Sequence, residues 1–211
     1  MLSDMIPILF DGPKGAALTL VLAHGAGAAM DSPFMAAFAQ GLGARGIAVA
    51  RFEFPYMAAR RATGKKRPPD RQPILLQTWR EVISRLGARP GSERLAIGGK
   101  SMGGRMASML ADELGADALV CLGYPFYAVG KPEKPRVAHL AELHTPTLII
   151  QGERDALGDR QAVADYTLSE TIKLCWLTAG DHDLKPLKSS GFNHQQHMQT
   201  AADAIAQFLC A

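Results

Sequence analysis

Residues 94–108 read RLAIGGKSMGGRMAS, and this stretch determines how the rest of the sequence is interpreted. It begins with the short apolar run Leu95-Ala96-Ile97, typical of a buried strand, and a helical pattern starts at Met102. Between them lies the pattern G-x-S-x-G with Ser101 at its centre. A sharp strand-to-helix turn of this kind projects the serine oxygen from the end of a sheet and needs small neighbours. The stretch therefore predicts that Ser101 is a nucleophile, with the Met102 amide as one oxyanion donor.

Gly99-Lys100-Ser101 also resembles the end of a phosphate-binding P-loop, G-x-x-x-x-G-K-[ST]. That motif requires a glycine five residues before Gly99, where this chain has Arg94. The additional glycines instead follow the serine, which favours the nucleophile turn.

Short apolar runs alternate with longer helical patterns, which is typical of a parallel sheet covered by helices on both faces. The predicted strands are Ile6–Phe10, Ala17–Ala23, Ile47–Phe52, Arg94–Gly98, Ala118–Leu122, Thr147–Gln151 and Lys173–Leu177. The predicted helices are Pro33–Arg45, Pro73–Leu86, Met102–Leu114, Arg160–Leu168 and His194–Leu209. The 211 residues, 47% of them hydrophobic, suffice for one core. We expect a single α/β domain over residues 1–211, with a mostly parallel sheet of about seven strands and no large cap.

A second small-residue segment follows the strand that ends at Ala23. It reads His24-Gly25-Ala26-Gly27-Ala28, and the backbone of such a loop approaches a substrate carbonyl closely. We expect the second oxyanion donor to be the amide of Ala26, with Gly27 as an alternative, and His24 to brace the loop by hydrogen bonding. A dinucleotide fingerprint fits less well, because Met30 stands at its last glycine position and no acidic residue lies about 20 positions further on.

Two further polar turns follow predicted strands. Gly152-Glu153-Arg154-Asp155 comes after Thr147–Gln151, and Gly180-Asp181-His182-Asp183 comes after Lys173–Leu177. A serine hydroxyl needs an imidazole to accept its proton and a carboxylate to orient that imidazole. The sequence therefore predicts the triad Ser101, His182 and Asp155, with three other acidic residues as alternatives to Asp155: Glu153, Asp159 and Asp181.

The remaining histidines fit a catalytic role less well. His139 and His144 precede the predicted acid in the chain. His194-x-x-His197 has a helical spacing that could hold a metal, but no third ligand is apparent, which favours a solvated helix face. We expect neither a metal nor an organic cofactor.

Basic residues concentrate in one irregular segment, Tyr56–Pro73. Between Pro55 and Arg71 there are six lysines and arginines against Asp70 alone, although the whole chain has a net charge of only +3. This segment either steers an anionic substrate or is a solvated loop. A second irregular stretch, Tyr124–Arg136, follows a strand. The candidate substrate-binding residues from the two stretches are Tyr56, Arg60, Arg61 and Tyr124.

Composition limits the remaining function classes. The three cysteines are widely spaced without a C-x-x-C pair, as in a reducing compartment. The start of the sequence lacks a secretory signal pattern, and the apolar runs are far shorter than the roughly 20 residues of a membrane span. The basic segment has no interleaved aromatic residues, so nucleic-acid binding is not favoured. We expect a cytoplasmic protein, a monomer or a homodimer, without membrane or nucleic-acid partners.

Taken together, these motifs carry a family resemblance. The chain resembles the small α/β-hydrolase-like proteins of the KANL3/Tex30 type and, more distantly, dienelactone hydrolase-like enzymes. The segments that carry the resemblance span nearly the whole chain: residues 24–35, 51–57 with the basic residues 60–71, 98–105, 124–126, 152–155 and 180–182. The resemblance implies an α/β-hydrolase fold with a serine triad, and every triad position is filled here. It implies no defined substrate, and some eukaryotic relatives resemble scaffolds.

The sequence therefore predicts a serine hydrolase that acts on a small, possibly anionic ester or thioester. The alternative is a binding or scaffold protein that retains the fold without turnover.

Overall fold

The computed structural model describes residues 6–86 and 94–211. Within these ranges seven strands form one sheet in the order β1-β3-β2-β4-β5-β6-β7. The strands are β1 Ile8–Asp11, β2 Leu18–Ala23, β3 Ala48–Phe52, β4 Arg94–Lys100, β5 Ala118–Leu122, β6 Thr147–Gly152 and β7 Ile172–Leu177. Strands β2 to β7 are parallel, and β1 pairs antiparallel with β3 at the edge. The predicted α/β class with a mostly parallel sheet is therefore confirmed.

Helices cover both faces of the sheet. They are α1 Pro33–Gly43, α2 Pro55–Thr63, α3 Gln72–Leu86, α4 Met102–Ser108, α5 Arg160–Ala164 and α6 His194–Cys210. Among the residues that the structure describes, no helix has the length and apolar character needed to traverse a lipid bilayer.

The core divides into two layers because alternate strand residues point to opposite faces of a sheet. In β2, Val21 and Ala23 pack into the layer that contains Trp79 of α3. Leu20 and Leu22 of the same strand pack into the layer formed by α1 and α6. Both layers consist mainly of buried apolar side chains, so the sheet provides a rigid base for the loops at its edges.

The order of the central strands determines where a site can form. From β2 the chain passes to β3 on one side, and from β4 it passes to β5 on the other. At such a reversal the loops that leave the carboxyl ends of the two strands diverge, which opens a crevice at that edge of the sheet. Ser101 directly follows β4, and the His24–Ala28 loop directly follows β2.

The structure differs from the sequence-based prediction most clearly after β3. The start of Tyr56–Pro73 was expected to be irregular, but Pro55–Thr63 forms α2. Pro55 stands in the first turn, where its missing N–H costs nothing, and Gly64 ends the helix with φ = 67°. Helices α4 and α5 end earlier than predicted, at Ser108 and Ala164.

The central strand β4 leaves no space for a side chain at Gly98. A Cβ atom at this position would overlap the carbonyl oxygen of Val120 in the adjacent strand β5. We predict that Gly98→Ala lowers the free energy of unfolding by at least about 2 kcal/mol, because the two central strands must separate to accommodate it. Urea denaturation monitored by tryptophan fluorescence measures this change.

Gly41→Ala provides the matched control for that measurement. Gly41 lies inside α1, and a Cβ there would make only ordinary contacts, 3.6 Å from Ala202 Cβ and 3.7 Å from Arg45 Nη1. This variant should be as stable as the parent protein or more stable by up to about 1 kcal/mol. Equal urea midpoints for Gly98→Ala and the parent would contradict the packing described here.

Candidate active site

Ser101 lies in the single-residue turn between β4 and α4. Its backbone has φ = 50° and ψ = −115°, a conformation that costs a non-glycine residue free energy. The turn is held from both sides: Ser101 N–H donates to the Leu122 carbonyl (3.0 Å), and the Ser101 carbonyl accepts from Arg105 N–H (2.9 Å). The strained backbone projects the serine oxygen from the carboxyl edge of the sheet.

Glycines beside Ser101 allow this turn to pack against β2. A Cβ at Gly99 would overlap the Ala23 carbonyl oxygen, and a Cβ at Gly103 would lie 2.5 Å from the same oxygen. Both distances are too short for real atoms. The small residues of the G-x-S-x-G pattern are therefore required by the close approach of α4 to the end of β2.

The structure brings the three predicted side chains of the triad together. Ser101 Oγ lies 2.9 Å from His182 Nε2, and His182 Nδ1 lies 2.8 Å from Asp155 Oδ2. An ionised carboxylate only accepts hydrogen bonds, so Nδ1 carries the imidazole proton and donates it to Asp155. This leaves the lone pair of Nε2 free to accept the hydroxyl proton of Ser101.

Asp155 is fully buried and is held on both of its oxygens. Oδ2 also accepts from Gln151 Nε2 (2.9 Å), and Oδ1 accepts from Leu157 N–H (2.8 Å). Gln151 Oε1 accepts in turn from Tyr124 N–H (2.7 Å). A polar residue at the last inward position of a buried strand was the only sequence signal for Gln151, and the sequence analysis did not use it.

The three alternative carboxylates are engaged elsewhere. Glu153 pairs with Arg160 (2.7 Å), and Asp159 caps α5 by accepting from Ala162 N–H (2.9 Å). Asp181 accepts from the backbone amide two residues further on (2.9 Å). Only Asp155, among the acidic residues described, is hydrogen-bonded to His182.

Lys100 connects the turn of Ser101 to the loop of His182. Its Nζ donates to the His182 carbonyl oxygen and lies 3.2 Å from Asp183 Oδ1, and it also sits 5.4 Å from the centre of the Phe34 ring. Burial lowers the pKa of the Lys100 ammonium, and the charge of Asp183 opposes this effect. The variable position of the G-x-S-x-G pattern thus fastens the backbone of the histidine.

Helix α6 fastens the same loop from the other side. The rings of His194 and His197 are hydrogen-bonded to the carbonyl oxygens of Asp183 and Leu184, each at 2.9 Å. His197 is buried, so the prediction of a solvated helix face is wrong for this residue. No cluster of potential metal ligands occurs within residues 6–86 and 94–211.

The two residues predicted to supply the oxyanion donors lie beside Ser101. Ala26 and Met102 both line a cavity that contains Ser101, and no protein acceptor in the described part of the chain takes their N–H groups. The preceding loop is fixed by His24, whose Nδ1 donates to the Gly25 carbonyl (2.7 Å) and whose Nε2 accepts from Phe54 N–H (3.1 Å). His24 therefore braces the loop, as expected.

Two cavities meet at Ser101. The lysine-side cavity measures about 350 Å³ and is lined by residues 25–28, Phe34, Lys100, His182 and Asp183, among others. The arginine-side cavity measures about 420 Å³ and is lined by Asp70, Met102, Arg105, Val129 and Arg136, among others. A bound molecule that reacts at Ser101 therefore has space on both sides of the reacting atom.

Two of the predicted substrate-binding residues have other positions. Tyr124 is completely buried, and its hydroxyl group donates to the Arg136 carbonyl (3.2 Å), so the expected substrate contact is corrected to a packing role. Tyr56 is 2% exposed, and its hydroxyl donates to the Ala26 carbonyl (3.0 Å). Tyr56 therefore supports the loop of the predicted oxyanion donor, and it is not among the residues that line the two cavities at Ser101.

The two predicted arginines line a separate cavity of about 290 Å³ on α2, which Ser101 does not border. Arg61 Nη2 donates to Glu53 Oε1 and to Asp31 Oδ1, both at 2.8 Å. Its charge is thus balanced within the protein. Direct substrate contact by Arg60 and Arg61 is not supported, and long-range charge steering by this segment stays a prediction.

A second serine–histidine contact exists in the core. Ser108 Oγ lies 2.9 Å from His139 Nε2, but Ser108 is buried in α4 and also donates to the Arg105 carbonyl (2.8 Å). None of the hydrogen bonds between described residues joins His139 to a carboxylate. This pair lacks both the acid and the open space that surround Ser101.

Comparison with known proteins identifies the family and agrees with the fold. A family model described as an alpha/beta hydrolase domain matches residues 16–210. The fold is similar to a serine hydrolase without a lid from Xanthomonas campestris, with a TM-score of 0.73 and 21% identity over 97% of this chain and 88% of that one. It is also similar to Est1E from Butyrivibrio proteoclasticus, solved with ferulic acid bound (TM-score 0.74, 15% identity, coverage 98% and 96%).

A third similar structure is dienelactone hydrolase from Anabaena variabilis, with a TM-score of 0.72 and 19% identity over 97% of this chain and 91% of that one. At these identities the structures share the fold. The closer resemblance to proteins of the KANL3/Tex30 type stays a prediction.

The bracing role of His24 generates a pH dependence of stability. Burial lowers the pKa of His24 below its usual value of 6.5, because protonation would place a positive charge in a site that water does not reach. Protonation of Nε2 would also break the hydrogen bond that this atom accepts from Phe54 N–H. Below pH 6.5 the unfolded chain therefore binds a proton at His24 that the folded chain does not bind. The free energy of unfolding consequently decreases as the pH is lowered. We predict a loss of up to about 1.4 kcal/mol per pH unit from this residue. Urea denaturation between pH 7 and pH 5 should show a shallower slope in His24→Asn, and an unchanged slope would contradict this role.

Proposed function

Because the chain belongs to the alpha/beta hydrolase family, we propose that it is a serine hydrolase that cleaves a small carboxylic ester or thioester. The observation that carries this proposal is the continuous hydrogen-bonded chain Ser101–His182–Asp155, anchored on a strained turn. A free serine hydroxyl is a poor nucleophile at neutral pH, and this arrangement supplies the base that activates it.

In the first step Ser101 Oγ attacks the carbonyl carbon of the substrate. As the new C–O bond forms, the hydroxyl proton passes to His182 Nε2, which is already within hydrogen-bonding distance. The imidazolium that results is stabilised by Asp155, which keeps its negative charge throughout. His182 then gives the proton to the departing alcohol or thiol, and the acyl group remains bonded to Ser101.

The carbonyl oxygen becomes negatively charged in the tetrahedral intermediate. Met102 and Ala26 border the cavity at Ser101, and their N–H groups have no protein acceptor in the described residues, so we assign the binding of this oxygen to them. Each such preorganised donor contributes about 100- to 1000-fold to kcat in enzymes of this chemistry. Gly27 N–H, from the same loop, is the alternative to Ala26.

Release of the acyl group uses the same residues in reverse. His182 takes a proton from a water molecule, the resulting hydroxide attacks the acyl carbon, and Ser101 leaves with a proton returned from His182. His182 is the side chain that accepts and returns the proton in each of the two steps. The reaction that we propose therefore uses protein groups and water.

Covalent labelling of Ser101 tests the proposal. A fluorophosphonate probe should modify the wild-type protein at Ser101, and Ser101→Ala and His182→Ala should not be labelled. Hydrolysis of p-nitrophenyl butyrate should fall by at least about 1000-fold in either variant, because the triad acts as a unit. Mass spectrometry of the labelled peptide identifies the modified residue.

Ser108→Ala is the matched control, because Ser108 also contacts a histidine but lies in the core. It should be labelled like the wild type. A wild-type protein that is neither labelled nor active on short esters, thioesters or amides would contradict the proposal and favour a non-catalytic binding or scaffold protein.

A further inference from the structure

The arginine-side cavity carries charge that the proposed reaction does not use. Arg105 and Arg136 both line it together with Ser101. We propose that these two arginines bind a carboxylate of the substrate, so that the ester or thioester cleaved at Ser101 carries a carboxylate a few bonds from its scissile carbonyl. This inference rests on the proposed function and specifies its substrate class.

Arg105 has unsatisfied hydrogen-bonding capacity. Its Nε is buried and has no hydrogen-bond partner, and its Nη2 reaches Gln72 Oε1 only at the long distance of 3.4 Å. Burial lowers the pKa of this guanidinium, and the positive charge of Arg136 acts in the same direction. The guanidinium of this half-buried residue has no acidic partner among the described residues, and an anion in the cavity would offset its charge.

Arg136 is held in place by its backbone, while its side chain has no protein partner in the described residues. Its N–H donates to the Phe126 carbonyl (2.6 Å), and its carbonyl accepts from the Tyr124 hydroxyl (3.2 Å). No ion pair or side-chain hydrogen bond within residues 6–86 and 94–211 engages the guanidinium of Arg136. Two cations without a carboxylate partner among the described residues thus border the same space.

Two other arginines of the chain differ in this respect. Arg61 is neutralised by Glu53 and Asp31, and Arg51 by Asp11 (2.7 Å). Arg105 and Arg136 have no such acidic partner among the described residues, and both border the cavity at Ser101.

The charge of the cavity favours a monoanion. Asp70 also lines it, and its Oδ2 accepts from Tyr56 N–H (2.9 Å). Two cations and one carboxylate leave one excess positive charge, which matches a carboxylate better than a doubly charged phosphate. A guanidinium group also presents paired N–H donors at the spacing of the two carboxylate oxygens.

The position of Arg105 limits where the carboxylate lies on the substrate. Arg105 follows Ser101 by four residues, which is about one helical turn or roughly 5–6 Å along α4. The remaining lining is largely apolar and includes Leu75, Met106, Val129 and Leu157. A short carbon chain between the scissile carbonyl and the carboxylate fits this arrangement.

Matched pairs of substrates test the inference. On the acyl side the pair is mono-p-nitrophenyl adipate and p-nitrophenyl hexanoate, and on the alcohol side it is 4-butyryloxybenzoate and its methyl ester. In each pair kcat/KM is divided by the rate constant for hydroxide, which removes intrinsic reactivity. The wild type should prefer the carboxylate-bearing member by about tenfold or more in at least one pair, as expected for a charge-assisted hydrogen bond.

Variants then locate the preference. Arg105→Gln and Arg136→Gln should each reduce the preference ratio about tenfold, and Arg105→Lys should give an intermediate ratio because it keeps the charge but not the paired donors. Lys134 is an exposed residue of the stretch Tyr124–Arg136 and does not line the cavity. Lys134→Gln therefore removes one positive charge outside the cavity and should leave the preference ratio unchanged. Arg136→Gln keeps the test decisive if replacement of the half-buried Arg105 impairs folding.

The outcomes separate this inference from the proposed function. A wild-type protein that labels at Ser101 but shows a ratio of one or less in both pairs overturns the inference alone. A preference that persists in both glutamine variants also overturns it. A wild-type protein that does not label at all overturns the proposed function, and the inference with it.

Discussion

The hydrogen bond from His182 Nδ1 to the buried Asp155 carboxylate is the interaction on which the site depends. It determines which imidazole nitrogen carries the proton, and therefore which one can accept the proton of Ser101. The carboxylate is itself held by Gln151 and by a backbone amide, so its position is fixed before any ligand arrives. The rest of the fold maintains this geometry.

Four structural features keep His182 in position relative to Ser101. The parallel sheet brings the loops after β4, β6 and β7 to one edge, and the buried Lys100 joins the first loop to the last. Helix α6 binds two further carbonyl groups of the histidine loop. A glycine at position 123 leaves space for this loop, since a Cβ there would lie 2.7 Å from the His182 carbonyl oxygen. These contacts compensate for the strained backbone of Ser101.

Sequence patterns were sufficient for the fold and for the residues that meet at Ser101, because strand-to-loop boundaries carry strong local signals. Gly99 and Gly152 lie at such boundaries, at the ends of β4 and β6. The support for the site was not predictable in the same way: Lys100 and Gln151 act through contacts with residues distant in the chain. Two predictions from the sequence were wrong. Tyr124 resembles a binding residue in the sequence but is enclosed by the core, and the basic composition after Pro55 obscured a helix.

The most direct test of this account is the protonation of His182, measured by ¹⁵N NMR of the histidine side chains at neutral pH and assigned with His182→Asn. The account predicts a single tautomer with the proton on Nδ1 and an unprotonated Nε2, and a loss of this preference in Asp155→Asn. A proton mainly on Nε2, or the rapidly exchanging mixture of a free imidazole, would contradict it.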